Sequence, residues 1–178
     1  MSDDAAAATA QHRRALYVLI ALSVLSHASL VGCRIAVTLG GIDLGASPFS
    51  LGLLMAFFGL LPMVLSVPAG RLVDRIGTRR PMFWGLGILV SAMLVPLLSW
   101  EVGSLFLVST ATGFGYMCVN VAIQKLGGEI GGAEARTLNF GLLSVGFSIS
   151  AFLGPLIAGV LIDLVGYRRW GHNEGDEP

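Results

Sequence analysis

Apolar positions cluster in five long blocks: residues 15–38, 49–69, 82–98, 102–123 and 138–165. Arg34 interrupts the first block late. None alternates apolar and polar at every second position, which argues against a barrel. Each block is long enough to cross a hydrocarbon core, which takes about 20 residues as a helix. Lipid offers no partner for a free backbone N–H or C=O, so such blocks must be helical. Pro62, Pro68, Pro96 and Pro155 fall in or near these blocks, where neighbouring helices can satisfy the carbonyls that proline frees. The connections are short, which makes consecutive spans antiparallel. The pattern predicts an all-α membrane protein of five transmembrane helices. Residues 1–14 read as a cytoplasmic tail, 15–167 as the bundle and 168–178 as a polar tail, with both ends disordered.

Composition agrees with lipid as the solvent. Of 178 residues, 54% are hydrophobic and 12% charged, against about a quarter charged in soluble domains. Mean hydropathy is +0.79. Half of the 24 glycines fall inside the apolar blocks, as expected where helices approach closely. Net charge is zero, which gives no footprint for a nucleic-acid partner. With the N-terminus inside, the cytoplasmic face receives Arg13, Arg14, Arg71, Arg75, Arg79, Arg80, Lys125 and Arg136. The outer face receives Arg168 and Arg169. That asymmetry predicts a multi-pass protein of the cell (inner) membrane with a cytoplasmic N-terminus.

Two local patterns invite other readings. Arg13 and Arg14 before an apolar stretch ending in "LVGC" at Cys33 look like a secretory or lipoprotein signal. A lipoprotein would continue as a polar chain, whereas four more apolar blocks follow. Cys33 and Cys118 both fall inside spans and read as small packing residues.

The segment "GRLVDRIGTRR" (70–80) concentrates five charges between spans two and three. Topology alone needs only positive charge and explains neither Asp74 nor the two glycines. Gly70 would let helix ends crowd, and Gly77 would permit a turn with positive φ. Thr78 would cap the third helix, with Pro81 tolerated in its first turn. Asp74 would accept hydrogen bonds from loop N–H groups or nearby arginines. Gly70, Leu72, Asp74, Arg75, Gly77, Arg79 and Arg80 together resemble the loop-two-to-three signature of the major facilitator superfamily of secondary transporters. The resemblance implies a partial N-terminal six-helix bundle of that fold. It further implies that Gly70, Arg71, Asp74, Arg75, Gly77 and Arg79 form a conformational gate that breaks and re-forms during alternating access.

Span five, "GLLSVGFSISAFLGPLIAG" (141–159), is similar to the family's antiporter-type pattern at Gly141, Gly154, Pro155 and Gly159. Ser150 and Ala158 stand where that pattern has glycine. Gly146, Ser150, Gly154 and Ala158 recur every four residues and predict one thin face for close packing, with Pro155 as a kink. The family's span-four arginine is missing: if Gly113 and Gly115 are the central glycines, Thr110 occupies its place. "GYRRW" (166–170) also looks family-like.

Polar residues inside spans mark candidate chemistry, because an ionisable group at mid-bilayer costs about 2.5–3.5 kcal/mol unless it faces a cavity or a partner. Ser23, His27, Arg34 and Thr38 share one face of span one by spacing. Ser109, Thr112, Tyr116 and Asn120 form a stripe on span four, and Ser144 and Ser148 lie in span five. In the family, spans one and four line the central cavity of the N-terminal half. The resemblance therefore points to His27, Arg34, Tyr116 and Asn120 as substrate contacts. Against this, Arg34 could snorkel to headgroups and His27 could bond a backbone carbonyl. Trp84, Trp100, Tyr167 and Trp170 read as interfacial anchors.

Transporters of this kind have two six-span halves, and this chain supplies five spans. A sixth helix and a C-terminal half, from the same gene or a separate chain, are the expected partners, beside the bilayer and a small-molecule substrate. The expected function is transmembrane transport, efflux-like, of a small organic or drug-like solute, inactive in this chain alone. The alternative is a non-transporting small membrane protein, partner subunit or degenerate fragment. An enzyme is not expected: mid-span depth holds one histidine and no aspartate, with no HExxH. No GxxxxGK is present for a nucleotide-driven pump. No cofactor or metal is expected.

Overall fold

In the computed structural model, which describes residues 2–170 and the side chains of 10–164, five helices follow one another. They are α1 (Ser2–Asp43), α2 (Pro48–Ile76), α3 (Arg79–Leu98), α4 (Val102–Glu129) and α5 (Gly132–Trp170). No strand occurs among the described residues. All five helices are long and apolar enough to cross a membrane. The protein is an all-α, multi-pass membrane protein.

The helices overrun the apolar blocks. At 1.5 Å per residue, the 42 residues of α1 extend about 63 Å, twice the roughly 30 Å hydrocarbon core. The edge of an apolar block marks the lipid boundary, while the backbone ladder continues through residues that suit water. Helix α1 begins at Ser2, where a disordered tail was expected. At the other end α5 runs to Trp170. Of the expected polar tail, 168–178, residues 168–170 belong to α5; residues 171–178 and the side chains of Tyr167, Arg168, Arg169 and Trp170 lie outside the described residues.

The same effect shortens the connections. The charged segment 70–80 is mostly the last turns of α2 and the start of α3, leaving only residues 77 and 78 between them. Gly77 has φ +81° and ψ 172°, a backbone region essentially reserved for glycine. Thr78 is not the expected cap: its backbone is helical and its side chain makes no capping bond. Elsewhere local chemistry stops the helices as their residue types suggest. The Ser47 hydroxyl accepts from the Ser50 N–H at 3.2 Å, with Pro48 next in line to open α2. Glu101 and Ser104 form a reciprocal capping box at the start of α4. The buried Asn139 of α5 donates to the carbonyls of Gly127 (3.0 Å) and Ile130 (2.7 Å). It thereby satisfies end-of-helix carbonyls that α4 cannot pair itself.

Helix α4 is the axis of the bundle. It packs on α1, α2, α3 and α5, while α1 also lies along α5. Half of its apolar window is buried, against 11% for α2. Glycines permit the close crossings. A Cβ on Gly113 would fall on the carbonyl oxygen of Phe58 in α2. One on Gly85 would sit 2.6 Å from the carbonyl oxygen of Gly115, and one on Gly115 2.9 Å from that of Gly85. Two apolar clusters fill the interior. Leu30, Val37, Leu54, Phe58, Leu105 and Val108 form one. Leu19, Leu89, Val119, Ile123 and Leu143 form the other. Between them, where α1, α4 and α5 meet, lie the polar side chains.

Candidate functional site

The helices bring the polar residues singled out in spans one and four to one seam. Ring contacts pair His27 of α1 with Tyr116 of α4, at a centroid distance of 5.8 Å. Phe147 of α5 meets His27 edge-on at 5.3 Å. His27 Nδ1 lies 2.7 Å from the hydroxyl of Ser150, also on α5. Ser150 is fully buried and donates its only proton to the carbonyl of Phe147 at 2.8 Å. With the Ser150 proton assigned to the Phe147 carbonyl, Nδ1 is the donor and Nε2 is left as the acceptor. Ser150 drew notice in the sequence only for being small. Its hydroxyl, 123 residues from His27, orients the ring.

One turn further along both helices, the seam holds polar atoms with no protein partner. Ser23 of α1 and Asn120 of α4 carry a buried hydroxyl and a buried amide oxygen, respectively, and neither makes a hydrogen bond among the described residues. Because α1 and α4 run antiparallel, one turn back from His27 and one turn on from Tyr116 bring these positions to the same level. A buried polar atom without a partner is costly, by about 1–3 kcal/mol. Such atoms are uncommon in native interiors and call for water or a ligand.

Arg34 stands two turns from His27 in the other direction, about 10 Å along the helix. Its guanidinium lies 5.4 Å above the ring of Phe58, a cation–π contact, and its side chain is exposed. No carboxylate pairs with it among the described residues. The Thr38 hydroxyl donates to the Arg34 carbonyl at 2.8 Å, and Thr112 meets the buried Cys33 thiol at 3.5 Å. His27 and Tyr116 thus touch, Asn120 adjoins them, and Arg34 lies apart on the same helix. Ser109 bonds the Leu105 carbonyl of its own helix. Ser144 and Ser148 are exposed and likewise bond their own backbone, so they do not face the seam.

The face of α5 that closes the seam is the small-residue stripe. Gly146 lies against Ile20 and Val24, Gly154 against Ala28 and Val31, and Ala158 against Gly32. The rest of the sequence pattern falls elsewhere. Side chains added at Gly141 or Gly159 would meet nothing within 4 Å, and Pro155 is exposed.

The charged cluster at the other end differs from its expected wiring. Asp74 pairs with Lys125 of α4 at 2.7 Å, not with Arg71, Arg75 or Arg79. Lys125 also approaches the Val73 carbonyl at 3.5 Å and Glu129 at 4.0 Å. Lys125 reaches Asp74 because the α2–α4 crossing at Gly113 draws the two helix ends together. The loop arginines sit on exposed positions of α2 and α3 and form no ion pair among the described residues. Gly70 is not at a crowded contact either, since a Cβ there would meet nothing within 4 Å. Among the described residues no group of His, Cys, Asp and Glu could hold a metal ion.

Comparison with known proteins places this arrangement. The family model described as Major Facilitator Superfamily matches residues 14–170. The chain is 27% identical over 117 residues to the inner membrane transport protein YajR of Escherichia coli, covering 64% of this chain and 25% of that protein. It is 26% identical over 133 residues to an uncharacterized transporter of Buchnera aphidicola, covering 69% of this chain and 31% of the relative. It is 27% identical over 122 residues to the quinolone resistance protein NorA of Staphylococcus aureus, covering 68% of this chain and 31% of NorA. The chain thus spans a quarter to a third of the length of these relatives. Its match to the family model covers nearly all of its helical bundle, and on that ground the chain belongs to the Major Facilitator Superfamily.

Proposed function

We propose that this chain is the amino-terminal part of a secondary transporter that exports a small organic or drug-like solute across the inner membrane. His27, Arg34, Tyr116 and Asn120 contribute to the solute's path. The observation that carries the reading is the seam itself. A histidine and a tyrosine are in contact inside the bundle, and two buried polar atoms at Ser23 and Asn120, without a hydrogen-bond partner among the described residues, lie one turn away along α1 and α4. Polar groups at that depth are expensive unless they serve a passage or a ligand. Export is supported by similarity to a protein named for quinolone resistance. Arg34, with no carboxylate partner among the described residues, would attract an anionic group on the solute.

In this reading the Asp74–Lys125 pair, with Arg71, Arg75, Arg79 and the glycines at 70 and 77, is the cytoplasmic gate, and the N-terminus lies inside. A bundle rocking against a second bundle needs that second bundle, so a sixth helix and a carboxy-terminal half are the partners. Two experiments test the proposal. Purified chain in proteoliposomes should give no saturable counterflow of a fluorescent quinolone; counterflow by the chain alone would overturn the partial-bundle reading. Single cysteines at 27 and 120, in a Cys33→Ser, Cys118→Ser background, should react with a water-soluble thiol reagent in the reconstituted protein. Complete protection of both would remove the seam from any aqueous path.

A further inference from the structure

Helices α2 and α3 both pack on α4 but make little contact with each other. Between them lies a cleft of about 390 Å³, walled by Leu65, Ala69 and Leu72 on one side and Trp84 and Ile88 on the other. Its floor includes Cys118 of α4. From Leu65 to Leu72 the wall extends about 10 Å along the helix axis, a length that lies within one leaflet. The cleft is almost wholly apolar, and an arginine follows within about one turn of its wall on each helix. On α2, positions 65, 69 and 72 form a stripe that Arg75 continues by the i+3 spacing. On α3, positions 88 and 84 form a stripe that Arg80 continues by the i−4 spacing. Both arginines are exposed, and neither forms an ion pair among the described residues.

We propose that this cleft is a binding site for one anionic phospholipid of the adjoining leaflet. An acyl chain lies between α2 and α3, and the headgroup phosphate lies between Arg75 and Arg80. Charge complementarity selects the occupant. A free phosphate would leave the apolar walls empty, and a neutral lipid would leave two cations unpaired at the rim. Trp84, 57% exposed on the cleft wall, reports on the occupant directly. The inference stands apart from the transport reading, because it needs only that these helices span a bilayer.

The test uses the full chain with Trp100→Phe and Trp170→Phe, so that Trp84 is the remaining tryptophan, reconstituted in phosphatidylcholine. Brominated phosphatidylglycerol or brominated phosphatidylcholine is then titrated in as the quencher. Phosphatidylglycerol should quench Trp84 with an apparent association about fivefold higher than phosphatidylcholine, the scale expected for a basic residue at a membrane surface. Arg75→Gln with Arg80→Gln should bring the ratio to about one. Arg71→Gln with Arg79→Gln removes the same charge off the stripes and should leave the ratio in place. Equal quenching by both lipids in the parent chain would overturn the proposal. So would equal losses in the two double variants, which would show surface attraction without a site. Circular dichroism and the Trp84 emission maximum establish that each variant remains folded.

Discussion

Replacing Ser150 with alanine deletes one oxygen from the α1–α5 contact and leaves the Nδ1–H of His27 without an acceptor. The Ser150 hydroxyl is fully buried and His27 half-buried. A neutral hydrogen bond contributes about 1 kcal/mol net. Measured interhelical bonds in membranes average about 0.6 kcal/mol and reach about 1.7. The 2.7 Å contact and the burial of Ser150 place this one within that range. Ser150→Ala should therefore destabilise the bundle by about 1 kcal/mol. A double-mutant cycle isolates the pair, because Ser150→Ala also removes the hydroxyl's bond to Phe147, which belongs to α5 alone. With His27→Phe, which keeps an aromatic ring against Tyr116 and Phe147, Ser150→Ala should cost almost nothing. Reversible unfolding in mixed micelles reads all four corners. A coupling below about 0.3 kcal/mol, the scatter of independent sites, would refute the hydrogen bond as a structural element. Nitrogen NMR of labelled His27 reads the direction: the hydrogen on Nε2 would mean that Ser150 donates to Nδ1 instead.

Other predictions follow from single contacts. Gly113→Val drives a side chain into the Phe58 carbonyl and should destabilise the α2–α4 crossing by about 1–3 kcal/mol or more, read by the same unfolding assay. Gly77→Ala forces a non-glycine residue into a glycine-only backbone region and should cost about 1–3 kcal/mol, although no neighbour touches the site. Lys125→Met breaks the pair with Asp74, whose side chain is 70% exposed, so stability should change by less than about 1 kcal/mol. Spin labels on the ends of α2 and α4 nearest the pair should nevertheless show a broader distance distribution in that variant; an unchanged distribution would remove the pair from the proposed gate.

The two kinds of information in the chain separate cleanly at the lipid boundary. Apolar run length located all five spans, because hydrocarbon thickness sets it. The helix ends escaped that signal, since segments such as 71–76 and 125–129 are polar enough for water yet continue the backbone ladder. Gly77 was readable because its role is local to one residue. Thr78 was misread because residue type alone does not show whether the backbone turns there. The partners of His27 and Asp74 depend on which helices become neighbours. Spacing put His27 and Arg34 on one face of α1, but only the α1–α5 packing brings Ser150 to the ring. Only the α2–α4 crossing delivers Lys125 to Asp74 in place of the nearer arginines. The span-five pattern divides for the same reason: Gly146, Ser150, Gly154 and Ala158 meet α1, whereas Gly141, Pro155 and Gly159 face away from it.

The central claim is that lipid solvates this bundle, with successive connections on opposite faces and the arginine-rich end in the cytoplasm. Single cysteines at Gly45, between α1 and α2, and at Arg75, near the end of α2, test it in one experiment. With Cys33 and Cys118 replaced by serine, a membrane-impermeant maleimide should label position 45 in intact cells and position 75 only in inverted membrane vesicles. Labelling of both from the same side, or of position 75 from outside intact cells, would contradict the account.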